Sequence, residues 1–486
     1  MRTRCNILIL FIICLSGGAC KKTLEETPRN FISSSLFYKT AADAEAAVLG
    51  IYSASATQLF RYQLLELHSD FAVGRGSWAS VSFFDAVLDQ NQIGRCRDYM
   101  WDFGYSIISR SNDVLVKVPP IDMDETKKKS LLAEARFMRA MAYFDLVRSF
   151  GAVPLRITPI QGTSQLGAKR APEADVYNQI IEDLKVAEVD LPNSVGALTA
   201  RASKWAAKLL MAQVYLTTEK WADAAAKADE VITSGQYKLV SVAQPDDFYK
   251  IFAVNTSTED IMSLQFSSTI QDDYPSTLHI PSVPAYNNSS TGFFTTVPRT
   301  GYALTTTSWD DADLRKSFNY YTQYRNTAGV IVTLPAATPI LFKKWIAAAN
   351  GIRSNSRSLL RYAEAFLIYA EAETMADGAP SALALERLNM IRRRGYGKDI
   401  SVPSAIDFPA GMSASQFRDT VIRERVYELM NEQRRWWDLK RTGTAKQVIE
   451  AATGKPFNNS RLLFPIPQEE INSNPSLSQA DQNPGY

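Results

Sequence analysis

The stretch "SKWAAKLLMAQVYL" (203–216), followed after three residues by "KWADAAAKADEVITSG" (220–235), decides the fold. Both halves carry apolar residues at helical spacing, and Ser203 stands where a helix cap is wanted. Gly235 stands where a helix should stop. Ala212 and Ala224 are small residues in the two halves, and Tyr215 follows the first by one turn. Small side chains at those points let two antiparallel helices approach closely, so the segment reads as a tight helical hairpin.

The pattern recurs. "LLRYAEAFLIYAEAETMADG" (359–378) with "SALALERLNMIRRRG" (381–395) repeats it, with Ala370 and Ala382 in the matching places. "AMAY" (140–143) and "AQVY" (212–215) share an A-x-x-Y start. Such pairs resemble tetratricopeptide repeats, about 34 residues per unit. Further helices are expected over 40–58, capped by Thr40, over 130–151, and as one continuous helix over 413–443. The predicted fold is mostly α: stacked tetratricopeptide-like hairpins with long irregular loops and a few short β-strands. Between 236 and 358 proline, threonine, asparagine and tyrosine rise. "EDIMSLQF" (259–266) and "ILFKKW" (340–345) read as strands, and 272–309 reads as one long irregular stretch, a kind usually kept for function. The expected division is a helical region 20–235, a loop-rich ligand-side region 236–358 and a helical region 359–486, forming one body.

The first 19 residues read as a secretory leader: Arg2 and Arg4, then an apolar run, then small residues. In "CLSGGACKKTLEETP" (14–28) the small residues stand directly before Cys20, as in a bacterial lipobox. Cys20 would then be acylated and become the first mature residue, holding the body to a membrane through two or more chains. Cys5 and Cys14 fall in the leader, which leaves Cys96 alone and excludes a disulfide framework or a cysteine metal cluster. The formal charge of +2 falls to about neutrality when Arg2 and Arg4 leave, so there is no electrostatic case for nucleic acid. Neither a cofactor nor a metal is called for.

No catalytic signature stands out. His68 and His279 are isolated and read as structural or surface residues. "RERVYELMNEQRRWWDLKRTG" (423–443) sets Glu424, Glu428 and Glu432 on one helical face among Arg425 and Arg435, with Arg435 within reach of Glu432. We read it as a charged, tightly packed scaffold helix. With 51 acidic residues a secreted glycoside hydrolase using a carboxylate pair stays an alternative, although no pair is singled out.

In the order in which they occur, "AEARFMRAMAYFDLVRSFGAVPL" (133–155), the 203–239 hairpin, "LRYAEAFLIYAEAE" (360–373), "LNMIRRRG" (388–395), the Glu/Arg/Trp segment and the tail "LFPIPQEEINSNPSLSQADQNPGY" (463–486) resemble the SusD/RagB-like outer-membrane nutrient-binding lipoproteins. "CKKTLEETP" resembles the family's mature start, with lysines where acids that favour surface export often stand. The resemblance implies a non-enzymatic protein, lipid-anchored at the outer membrane and facing outward. It implies capture of oligosaccharides, or in some branches peptides, and their delivery to a SusC-like TonB-dependent transporter. Ligand contacts in the family lie on variable loops. Flat aromatic rings beside amides and charged forks suit sugar faces and rims. Two stretches fit: "DFAVGRGSWASVSFFD" (70–85), offering Arg75 and Trp78, and "AYNNSSTGFF" (285–294), offering Tyr286, Asn287, Asn288, Phe293 and Phe294. Trp309 is a further candidate, and Trp101 is assigned to the core.

Overall fold

The computed structural model describes residues 37–56, 59–196, 199–272, 274–280, 295–297, 308–346 and 353–486. The leader, Cys20, and Tyr286 to Phe294 lie outside the described residues.

The longer helices are α1 (Ala41–Ala56), α2 (Leu59–Glu66), α3 (Gln90–Cys96), α4 (Asp102–Lys117), α5 (Glu125–Phe150), α6 (Glu173–Asp190), α7 (Lys204–Thr217), α8 (Trp221–Ile232), α9 (Leu314–Asn319), α10 (Tyr362–Asp377), α11 (Ala382–Gly395), α12 (Ala414–Glu428), α13 (Arg435–Arg441) and α14 (Ala445–Thr453). The strands are short: β1 (Val73–Gly74), β2 (Val153–Pro154), β3 (Arg170–Ala171), β4 (Asp260–Leu264), β5 (Thr295–Thr296), β6 (Tyr320–Tyr321), β7 (Gln323–Arg325), β8 (Ile331–Thr333), β9 (Leu341–Phe342) and β10 (Arg357–Arg361). The mostly helical fold expected from the sequence is the fold observed.

Helix starts follow their caps. Thr40 Oγ1 accepts from the Asp43 N–H at 3.2 Å while Asp43 accepts from the Thr40 N–H at 2.9 Å. Asp124, Ser203, Ser381 and Ser413 likewise accept from the third N–H of α5, α7, α11 and α12, and at Ser413 the bond is returned by Gln416. Helix α5 ends where Gly151 takes φ 71°, a positive φ that glycine adopts without strain.

The helices stack in sequence, α4 on α5, α5 on α6, α6 on α7 and α7 on α8; α8 then packs on α10, and α10 on α11 and α12. The 236–358 stretch is therefore inserted between two neighbours of the stack. Ala212, Ala224 and Ala228 are fully buried where α7, α8 and α10 approach. In the second hairpin Ala370 on α10 and Ala384 on α11 are fully buried, whereas Ala382 is exposed in the first turn of α11. Polar side chains lock the stack as well. Arg139 on α5 makes two 2.8 Å bonds to Asp183 on α6 and a 2.7 Å bond to Asn112 on α4, all out of solvent.

Two expected boundaries move. The helix read from residue 359 starts at Tyr362, because Arg357 to Arg361 extend and pair antiparallel with β4. The helix read over 413–443 breaks between Glu428 and Arg435, where Asn431 and Gln433 take φ of 57° and 61°. The break is held by tertiary partners: Lys344 Nζ donates to the Met430 carbonyl at 2.9 Å, Trp345 Nε1 to the Asn431 carbonyl at 2.9 Å, and the Gln433 N–H to Glu66 at 2.5 Å. These bonds satisfy backbone groups that a continuous helix would satisfy internally.

Glu432 therefore leaves the helix and pairs with Lys344 at 2.5 Å and Arg361 at 2.9 Å. Arg435 pairs with Asp70 at 2.6 Å rather than with Glu432. Glu428 lies at the centre of a buried ion-pair hub, 2.8 Å from Arg361, 2.5 Å from Arg394 and 3.3 Å from Arg315. Glu424 and Asp313 take Arg315, and Glu259 takes Arg361. Burial alone would raise the Glu428 carboxyl, but three guanidinium groups outweigh it and hold it well below the usual range. The Glu/Arg segment is thus a scaffold, and its partners Glu259, Arg315 and Lys344 come from the inserted stretch.

Candidate functional site

The inserted stretch is pinned by small strand pairs. Val73 pairs with Thr296 and Gly74 with Thr295. Val297 bridges to Ile340, and β9 pairs with β6, Tyr320 with Phe342 and Tyr321 with Leu341. The resulting ribbon runs β1, β5, β9, β6. It brings the turn after Gly74, which holds Arg75 and Trp78, onto the same ribbon as Thr295, Thr296 and Tyr320.

The Trp78 turn is built rigidly. Residues Gly76–Ser82 form a 3₁₀ turn. Arg95 and Gln92, both on α3, donate to the Ser77 carbonyl at 2.5 and 3.0 Å, and Gln92 Nε2 also reaches Ser80 Oγ at 3.0 Å. Behind the turn, the Gly74 N–H donates to Ser82 Oγ at 3.0 Å. Arg461, fully buried and with no carboxylate within ion-pair distance among the described residues, donates to the carbonyls of Val81 and Phe83.

Trp78 itself is only 3% exposed. Its ring lies near-parallel to Tyr99, centroids 6.4 Å apart, and the Arg95 guanidinium sits 3.8 Å from its centroid. The partly exposed groups of this cluster are Tyr99 and Arg95, together with Arg75. Tyr99 belongs to a π-helical turn, Arg97–Trp101, inserted between α3 and α4, a distortion frequent at functional sites. Trp101 is buried against Phe150 and Tyr105, as expected of a core residue.

At the other end of the ribbon a pocket of about 270 Å³ is lined by Asp311, Lys316, Ser317, Tyr320, Thr322 and Ile340. Lys316 Nζ bonds Asp311 at 2.6 Å and the Trp309 carbonyl at 2.7 Å. Trp309 is 2% exposed, stacked 4.4 Å from Tyr427 and edge-on to Tyr320 at 5.9 Å. It supports the pocket wall from behind, and Tyr320 is the partly exposed ring. Tyr286, Asn287, Asn288, Phe293 and Phe294 lie outside the described residues.

Arg95, Tyr99, Lys316 and Tyr320 were not singled out in the sequence. Trp78 meets Tyr99 because a loop folds over a π turn, and no local spacing encodes that. The histidines are structural: His68 is packed against Trp436 and Phe464, and His279 Nε2 lies 2.5 Å from the Trp345 carbonyl. Burial pushes the His279 imidazole down to about 4. Cys96 is buried and free, and burial pushes its thiol well above the usual range. Among the described residues no helix is long and apolar enough to cross a membrane.

Comparison with known proteins agrees with this architecture. The profile described as "SusD family" matches residues 293–486, and that described as "Starch-binding associating with outer membrane" matches residues 32–216. SusD-like protein P2 of Formosa agariphila is 28% identical, over 98% of this chain and 99% of its own length. A SusD superfamily protein from Parabacteroides distasonis superposes with a TM-score of 0.75 at 26% identity, over 91% of this chain and 99% of that one. A SusD homolog from Bacteroides thetaiotaomicron gives 0.78 at 24% identity, over 93% and 98%. Stacked helical hairpins, a loop-rich insertion and matches to family profiles in both halves lead to one conclusion: the chain belongs to the SusD/RagB-like family, a carbohydrate-binding family associated with the outer membrane.

Proposed function

We propose that this protein is a non-catalytic, cell-surface nutrient-binding lipoprotein, anchored through Cys20, that captures oligosaccharides and passes them to a SusC-like TonB-dependent outer-membrane transporter. The observation that carries the reading is the pairing of β1 with β5. In a body of stacked helices, this pairing joins the turn that holds Arg75 and Trp78 to the ribbon that carries Tyr320.

The proposed contacts are Arg75, Tyr99, Arg95 and Tyr320, with Tyr286, Asn287, Asn288 and Phe293 on the adjoining segment. Trp78 and Trp309 act from behind, one stacked on Tyr99 and the other set against Tyr320. Rings of this kind cover the apolar faces of sugars, while amides and guanidinium forks bond their rims. Glu424, Glu428 and Glu432 are held in buried ion pairs, an arrangement that suits a scaffold rather than an acid/base pair.

The test uses the chain lacking residues 1–20 on glycan and peptide panels, with reducing ends assayed in parallel. Glycan binding without new reducing ends is the expected result. Binding of peptides alone would favour a RagB-like peptide receptor, and release of reducing ends would favour a hydrolase. Metabolic labelling with a fatty acid should mark the wild type and not Cys20→Ala.

A further inference from the structure

A pocket of about 380 Å³ lies away from the ribbon, where the C-terminal end of α5 and the N-terminal end of α6 meet α13. Its volume falls within the range of small-molecule sites, roughly 300–1,000 Å³. Tyr177 on α6, Trp437 on α13 and Leu463 form apolar walls, and Arg148 on α5 and Lys440 on α13 bring positive charge. The Arg148 guanidinium lies 4.4 Å from the Trp437 ring centroid, and Lys440 Nζ lies 5.7 Å from it.

The charges on this wall do not balance. Arg148 has Asp145 at 2.7 Å, but Asp145 is shared with Arg61 at 2.5 Å. Lys440 donates to the Arg148 carbonyl and has no carboxylate within 4 Å among the described residues. Arg441, beside it, is already bound to Glu371 at 2.6 Å and Asp438 at 2.8 Å. Glu173 faces Lys440 from α6, exposed to solvent and beyond ion-pair distance, and is the carboxylate that acts on it most.

We propose that this pocket is a second ligand site, which takes a small carboxylate-bearing molecule with a flat or ring-shaped body, such as a uronic acid. The carboxylate sits between Lys440 and Arg148, and the body lies between Trp437 and Tyr177. An anion there supplies the counter-charge that the wall lacks. Burial and Arg148 push the Lys440 ammonium down to about 7, opposed by Glu173, so a bound carboxylate also recruits a proton. Arg441 and Tyr177, the other titratable groups facing the pocket, keep their charge states near neutrality, because burial, which would lower Arg441, is outweighed by Glu371 and Asp438, and burial raises the Tyr177 phenol to about 12. Binding should therefore weaken as pH rises above 7.

The experiment titrates the chain lacking residues 1–20, labelled with ¹³C-lysine, with glucuronate, glucose and inorganic phosphate, following the Lys440 signal. Glucuronate should shift that signal and glucose should not. Lys440→Gln should weaken glucuronate binding at least tenfold, and Lys440→Arg should retain it. An unmoved Lys440 signal, a shift with phosphate alone, or equal affinity in Lys440→Gln overturns the proposal. If Lys440→Gln fails to fold, the wild-type signal and its decline with pH decide. Tyr99→Ala leaves this pocket intact, so failure here and failure at the ribbon are separable.

Discussion

Gly74 lies so close to the Trp78 carbonyl that a Cβ added to Gly74 would stand 2.0 Å from that oxygen. Only glycine lets β1 pair with β5 while the 3₁₀ turn closes over it. Gly74→Ala should displace the turn. It should cost about 1–3 kcal/mol, as overpacking does, and weaken glycan binding more than it lowers Tm. Calorimetric melting beside a binding titration checks this; an unchanged affinity would separate the turn from the ligand.

Tyr320 and Trp309 make a second test, because one ring is partly exposed and the other buried behind it. Tyr320→Ala should reduce affinity about tenfold, near 1.4 kcal/mol, with little change in Tm. Trp309→Ala removes a buried ring stacked on Tyr427 and should destabilise by about 3–5 kcal/mol. Equal losses of stability in both variants would argue that Tyr320 is packing alone.

Glu428→Gln should be among the most damaging changes to the scaffold. It leaves Arg361, Arg394 and Arg315 short of counter-charge, and breaking a buried pair costs about 3–5 kcal/mol. The acid response follows. Burial opposes the charge of Asp438, but Arg425 and Arg441 hold it down to about 2, and Glu428 is lowered by its own partners. Groups lowered on folding stabilise the protein above their unfolded pKa, about 4. That contribution is lost as pH falls from about 4 through 2. Denaturant unfolding at stepped pH measures the loss.

Glu66 behaves oppositely. Burial pushes its carboxyl up to about 8, although the Gln433 N–H donates to it. A raised carboxyl contributes stability that is whole below its unfolded pKa, about 4, and is lost as pH rises through about 8. Glu66→Gln keeps an acceptor for the Gln433 N–H and carries no charge. It should flatten the decline between pH 4 and 8 and raise Tm at pH 8. A lower Tm at pH 8 would mean that Glu66 is ionised in the fold.

The helical hairpins were legible because their signals are local: caps at Thr40 and Ser203, glycine stops, and alanines such as Ala212 and Ala224 at the close approach. The break between Glu428 and Arg435 was not, because its turn is held by Lys344, Trp345 and Glu66 from distant segments. The loop carrying Trp78 was found through composition, but composition does not say which ring faces solvent. That depends on Tyr99 reaching Trp78 from a π turn. Trp309 was nominated as an aromatic in a loop and lies buried on Tyr427, a contact between segments with no sequence period in common.

The central claim is that the ribbon joined by β1 and β5 presents a sugar-binding surface with Tyr99 as a platform. The most direct measurement is the ratio of dissociation constants of Tyr99→Ala and wild type for one glycan bound by the chain lacking residues 1–20. We predict weakening of at least tenfold, about 1.4 kcal/mol, with Tm unchanged. An affinity equal to that of the wild type would contradict the account.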